Sequence, residues 1–324
     1  MKFRYFIVAI QIFICTGMVA QSDFDLSQRW FNEAVYNPAA TGNTFSSVGV
    51  CVHSRAQWLN TEGAPITNAV TVDGYFDKIN SAAGLVVLTD KIGYISSWSA
   101  KFNYAYYIGF EHSSLSVGLS GYLINRNKRL DPSMSADPSD PALSYSHRND
   151  YSPDFDFGLE FKGPFKAGIA ARHLLSSQSV NSLHPSYDIN LWGYISSRFE
   201  LSNTGTVSLE PVLSGTLRKN IYRVEGGLIA YFHRSSDGSS NLKKNEETNN
   251  DKFWLGGMFQ YKDQVSLLGG VYIFPQLALG YSFNYGITEL SSLSKIGTHE
   301  IYLSWRLGRK SYKKDCCPAY KSCK

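Results

Sequence analysis

The side chains able to do chemistry are few and dispersed. The chain holds seven histidines. His53, His112, His147, His173, His184 and His233 stand far apart, without the spacing that would gather them around a metal. His299 directly precedes Glu300 in "GTHEIYLSW". On a strand, consecutive side chains point to opposite faces, so these two cannot work as one acid–base pair. There is no Gly-x-Ser-x-Gly elbow and no phosphate loop. Arg55, in "HSRAQWL", shares a face with Cys51, His53 and Gln57. A guanidinium taken out of water must be paired or wetted, and the expected partner is a carboxylate on the next strand, such as Asp73. A structural ion pair is the expected role of Arg55, ahead of ligand binding. Of the five cysteines, Cys15 lies in an apolar leader and Cys51 in an alternating stretch. Cys316, Cys317 and Cys323 crowd into the last residues. No catalytic residue, cofactor site or metal site emerges, and the chain is expected not to be an enzyme.

The elements that carry these residues are strands. Aromatics make up 14% of the chain, with 21 Tyr and 19 Phe, and Gly stands at 27 against 11 Pro. That mixture suits strands and tight turns better than helices. The formal charge is only +4, and it falls by two when Lys2 and Arg4 leave with a cleaved leader. So balanced a chain is not expected to bind nucleic acid. "MKFRY" followed by "FIVAIQIFICTGMVA" reads as a secretory signal, residues 1–20, cut after Ala20. No other apolar run approaches the ~18–20 residues of a membrane helix.

Alternation runs through the rest. Ile301, Leu303, Trp305 and Leu307 fall on one face; Glu300, Tyr302, Ser304 and Arg306 fall on the other. Phe155, Phe157, Leu159 and Phe161 oppose Asp154, Asp156 and Glu160. A period of two means that one face meets apolar surroundings and the other polar ones. About fourteen such segments begin near Ser47, Ile66, Ala83, Trp98, Leu115, Asp154, Phe165, Tyr187, Thr206, Ile221, Phe253, Val265, Leu277 and Thr298. The reading is an all-β transmembrane barrel of the outer membrane, about fourteen antiparallel strands over residues 47–308. A soluble β-sandwich would alternate too. No linker divides the chain as two sandwich domains would require, and Tyr and Phe gather near strand ends as aromatic girdles do. An even strand count puts both ends of the barrel in the periplasm. Longer connections are expected at Asn60–Pro65, Arg126–Pro153, Leu174–Ser186 and Ile287–Gly297.

Three segments lie outside the alternation. Residues 21–46 read as an arm, with "RWFNEA" helical, folded into the lumen near its periplasmic end. Within it "NPAATG" combines a turn set by Asn37 and Pro38 with small Ala39, Ala40 and Gly42, which permit close approach. "HRSSDGSSNLKKNEETNNDK", from His233 to Lys252, is polar and without period. Strand parity makes it periplasmic, against the rule of short periplasmic turns, so either it is an unusual insertion or a strand upstream has been miscounted. The tail, residues 309–324, is basic and holds the three cysteines. It is read either as a flexible tail with one internal disulfide, formed in an oxidising compartment, or as a docking peptide.

Taken in order, these stretches resemble one family. "NPAATG" resembles the Asn-Pro-Ala start of the PorP/SprF outer-membrane proteins of the type IX secretion and gliding machinery, and "SRAQWLNTEGAPIT" resembles their Arg-x-Gln-Trp element followed by Gly-x-Pro. "TDKIGYIS", "NYAYYIGF", "SPDFDFGLEF", "KFWLGGMFQYKD", "LALGYSFNYG" and "GTHEIYLSW" follow in family order. The resemblance marks Asn37, Pro38, Ala39, Gly42, Arg55, Gln57, Trp58, Pro65, Gly93, His299 and Glu300 as motif residues with structural or partner-contact roles. It implies a barrel in outer-membrane lipid that helps export or retain secreted adhesin-like proteins and contacts periplasmic secretion components. The alternative is a passive channel or FadL-like transporter of a small apolar ligand.

Overall fold

The computed structural model describes residues 24–44, 46–129, 147–175, 187–201, 206–233, 251–288 and 296–308. Its strands are β1 (Val48–Ala56), β2 (Ile66–Phe76), β3 (Ser81–Ile92), β4 (Ile95–Gly109), β5 (Ser114–Arg129), β6 (His147–Lys162), β7 (Lys166–Arg172), β8 (Asn190–Ser196), β9 (Phe199–Glu200), β10 (Val207–Arg218), β11 (Ile221–His233), β12 (Asp251–Gln260), β13 (Gln264–Phe274), β14 (Leu277–Gly286) and β15 (Thr298–Leu307). β8 and the two-residue β9 both pair with β10 and form one stave. Each stave is antiparallel to the next, and β15 pairs with β1 from Val48↔Leu307 to Ala56↔His299. The result is a closed barrel of 14 antiparallel strands.

The period of two becomes an inside and an outside. Along β15, Glu300, Tyr302 and Ser304 are buried, while Ile301, Leu303 and Trp305 are exposed. Leu267 is 64% exposed and Ile169 60%. An apolar belt of this extent would be untenable in water and fits a bilayer. Aromatics ring both ends: Phe76, Phe110 and Phe274 at the rim where the ladder starts and finishes, Tyr94, Tyr151 and Tyr222 at the opposite rim. The turn Asp77–Ile79 lies at the first rim, which is the rim the even strand count assigns to the periplasm. Replacing Leu303 with arginine puts a cation against lipid and should cost roughly 2–4 kcal/mol near mid-bilayer. On a semi-native gel the heat-shifted folded band should fade for Leu303→Arg and persist for Ser304→Ala, which changes an inward residue.

Several expectations need correction. The stretch from Arg126 to Pro153 is not one long loop: β5 continues to Arg129 and β6 begins at His147, so only 130–146 connect them. Polar residues on both faces here, such as Asn125, Asn127 and Asp150, carry no alternation, yet the backbone ladder persists beyond the bilayer. "RWFNEA" is not one helix. It forms two separate 3-10 turns, Arg29–Phe31 and Glu33–Val35, divided by Asn32 at φ −154°. Among the described residues the pairings close without another stave, and His233 and Asp251, which flank the insertion, both lie at the rim where the ladder starts and finishes. Residues 1–23, the body of that connection, and the tail with Cys316, Cys317 and Cys323 lie outside the described residues.

Candidate functional site

The arm from Phe24 to Thr44 lies inside the barrel, and most of it is buried. It is not confined to the periplasmic end. Gly42 sits beside Ala82 at that rim, whereas Ser27 and Gln28 reach Glu300, near the opposite end of β15. The arm is anchored by carboxylates that the wall supplies. Glu300 is fully buried and accepts two consecutive backbone amides, Ser27 N at 2.8 Å and Gln28 N at 2.9 Å. Arg55 Nη1 lies 3.8 Å from Glu300 and donates to Ser27 Oγ at 3.1 Å. Arg55 is therefore paired, but not with Asp73. The ladder sets Arg55 opposite Thr67 on one side and Glu300 on the other, while Asp73 lies opposite Gly49. Asp73 instead accepts from Gly42 N at 2.7 Å.

Deeper in, Arg29 donates to Glu225 on β11 at 2.9 Å and pairs with Asp25 at 2.8 Å. Burial alone would lower the Arg29 pKa, but Asp25 and Glu225 outweigh it and hold the guanidinium above its ordinary value, so it stays charged. Burial pushes the Tyr36 phenol well up, and it accepts the Leu26 amide at 2.8 Å. Glu33 meets Lys166 and Asn43.

The small-residue turn has a specific seat. Asn37 Oδ1 accepts from Ala39 N at 3.0 Å and so caps the turn Pro38–Ala40, with proline at its first position. Asn37 Nδ2 donates to Leu159 O at 3.1 Å, and Ala39 O accepts from Ser116 Oγ at 2.8 Å. Beneath the turn, Gly118 and Gly158 face one another across β5 and β6. A Cβ on Gly118 would strike the Ala39 backbone, and one on Gly158 would strike Asn37 Oδ1. Two glycines in register thus make a flat patch on which the Asn-Pro-Ala turn rests. Thr41 and Gly42 finish the exit: Tyr107 donates to Thr41 O at 2.6 Å, and Gly42 turns at φ +70°.

The motif residues divide into two groups. Asn37, Pro38, Ala39, Gly42, Arg55 and Glu300 meet at the arm and its wall. Gln57, Trp58, Pro65 and Gly93 meet in a loop lattice at the opposite rim, with Gln57 N to Pro65 O and Gly93 N to Gly63 O both 2.9 Å. Trp58 lies past the end of β1, at φ 48°. His299 faces away from Glu300, against Tyr281 at 2.6 Å. Gly118, Gly158 and Glu225 escaped the sequence reading. "SVGLSG" and "DFGLEF" each break an alternating strand with glycine, and that interruption was the available signal.

One trio also resembles a catalytic arrangement: His233 lies 2.7 Å from Ser208 Oγ and 2.9 Å from Asp251. Both oxygens of Asp251 are held by Arg198, at 2.6 and 3.2 Å, and Ser208 is 3% exposed. His233 and Asp251 flank the polar insertion, so the trio clasps its stem. No group of three or more His, Cys, Asp or Glu among the described residues could hold a metal. Two cavities lie beside the arm among the described residues. One, of about 550 Å³, lies between Trp30, Phe31, Glu33 and the periplasmic rim; the other, of about 330 Å³, lies between Phe24, Val35 and the opposite rim.

A closed antiparallel barrel with an apolar belt and a buried polar arm defines an outer-membrane protein with a filled lumen. Among solved structures, the chain is similar to a Pseudomonas aeruginosa FadL homologue, at 10% identity over 84% of this chain and 93% of that one, TM-score 0.46. It is also similar to Omp33 of Acinetobacter baumannii, at 10% identity over 81% and 98%, TM-score 0.45. A third is the TodX deltaS2S3 mutant, a monoaromatic hydrocarbon channel, at 8% identity over 84% and 92%, TM-score 0.45. Comparison with curated proteins gives no match. The family model of the type IX secretion system membrane protein PorP/SprF matches residues 18–305, and the chain belongs to that family.

Proposed function

We propose that the protein is the outer-membrane barrel through which the type IX secretion and gliding machinery assists export or surface retention of partner proteins such as adhesins, acting as a docking body rather than a conduit. The observation that carries this reading is the family match over residues 18–305. A lumen occupied from Ser27 on Glu300 to Gly42 on Asp73 counts against an open channel for small ligands. Periplasmic secretion components would meet the rim that carries the stem of the insertion and the base of the tail; an exported partner would meet the rim of Trp58, Pro65 and Gly93. The test is deletion of the gene, scoring surface display of large exported proteins. Loss of one or a few from the surface with general secretion intact supports the reading; unchanged display of all of them refutes it.

The tail gives a second measurement. Deleting 310–324 should leave barrel abundance unchanged, because the β1–β15 ladder ends at Leu307 and termini beyond a ladder contribute few contacts. If the basic residues and cysteines dock on a periplasmic partner, display of the exported protein should fall. That docking should also weaken with salt, since exposed charges are screened over ~8 Å at physiological ionic strength.

A further inference from the structure

The cavity at the outer rim is built as a ligand site. Phe24 and Val35 of the arm line its inner end. One wall is apolar: Val86, Leu88 and Ile124, with Ile92 and Ile95 at the mouth. The other is a polar ladder. Arg126 Nη2 donates to the Tyr187 hydroxyl at 2.7 Å, and the Tyr187 ring stacks on His173 with centroids 4.8 Å apart and planes 14° apart. Tyr122 donates to Asp156 at 2.7 Å. The other basic side chains of this wall are engaged: Lys101 meets Asp156 at 2.5 Å, His173 Nδ1 lies 2.9 Å from Asp154, and the Arg172 guanidinium lies over the rings of Phe24 and Tyr36.

Arg126 is different. Among the described residues its guanidinium bonds to Tyr187 alone, and its Nε is buried without an acceptor. Asp150 stands opposite it across β6 but forms no ion pair with it. Asp90, on the other side of the cavity, already accepts from Thr67 at 2.6 Å. An apolar cleft with a small number of oriented polar groups is the usual form of a small-ligand site, and about 330 Å³ lies near the lower end of the ~300–1,000 Å³ such sites occupy.

We propose that this cavity binds an apolar carboxylate. The carboxylate meets Arg126, and a body about the size of one or two apolar side chains lies against Val86, Leu88 and Ile124. With the arm across the inner end of the cavity, the ligand is held rather than passed through the lumen. A free amphiphilic acid and the C-terminal residue of a polypeptide present the same chemistry. The site is tested on purified full-length protein in lipid nanodiscs, so the result is independent of the secretion role.

Titration calorimetry uses 3-phenylpropionate and a pentapeptide ending in leucyl-phenylalanine, each as the acid and as the amide. At least one acid should bind saturably. Its amide should bind about tenfold or more weakly, because the charge-assisted bond to the guanidinium is lost. Arg126→Gln should weaken the acid by a similar factor, while Lys262→Gln, on another turn of the same rim, should leave it unchanged. Binding of the small acid alone assigns a free amphiphile; binding of the peptide acid alone assigns a chain end. No saturable binding by either acid, equal binding of acid and amide, or an unchanged Arg126→Gln overturns the proposal. If Arg126→Gln does not give the heat-shifted band of a folded barrel, the acid–amide comparison on the unaltered protein decides.

Discussion

Glu300→Ala should free the arm. In the intact protein Arg29 is 5% exposed, so trypsin should leave the arm uncut in the folded barrel. Removing the Glu300 carboxylate strands Arg55 and the Ser27 and Gln28 amides in a buried setting. Breaking a buried pair in this way costs on the order of 3–5 kcal/mol. The loss falls on the arm rather than on the staves, whose ladder is made of backbone bonds. The expected result is a barrel that still shifts on heating but is cut at Arg29, with channel conductance in planar bilayers where the intact protein shows little. Glu300→Gln should be intermediate: its one oxygen can still accept an amide, while its NH2 group opposes the other. A Glu300→Ala barrel whose arm stays protected would show that the clamp is dispensable beside the anchors at Glu225, Asp73 and the glycine seat.

The second large effect is expected at the glycine seat. A side chain at Gly158 would occupy the space of Asn37 Oδ1, and one at Gly118 the space of the Ala39 backbone. Neither neighbour is a flexible tip that can swing aside. Overpacking of this kind costs about 1–3 kcal/mol per site. Because both glycines support one turn, Gly118→Val with Gly158→Val should expel the turn outright rather than add two small strains. The measurement is cross-linking between cysteines placed at Ala39 and Ser116, whose backbone oxygen and hydroxyl are 2.8 Å apart in the native protein. A short bifunctional thiol reagent should bridge the two positions with both glycines present and fail to do so in the double valine variant. Gly193→Val is the control, since a Cβ there meets no atom closer than 3.8 Å. Cross-linking that survives the double change would mean that the Asn-Pro-Ala turn does not depend on its seat.

The barrel, the direction each strand side chain faces and the existence of an arm were legible in the chain alone. A period of two is written in neighbouring residues, so Leu303 outward and Ser304 inward could be read without any partner. The turn at Asn37 and Pro38 was legible for the same reason, since a fixed φ and a short capping side chain act over three residues. The strand start near Thr298 needed only the run that follows it. Who meets whom came only with the fold. Arg55 was expected to answer Asp73 because β2 is the next strand in the chain. Closure of the ring gives β1 a second neighbour, β15, and the partner became Glu300. Ser27 and Glu300 are 273 residues apart, and no local pattern carries that distance. The depth of the arm was misjudged for the same reason, as Glu300, Glu225 and Asp73 fix it from three separate staves. The glycine seat needed the register of β5 on β6, which brings Gly118 opposite Gly158. Faces follow from covalent geometry repeated residue by residue. Contacts across a lumen follow from ring closure and register, which the chain specifies only as a whole.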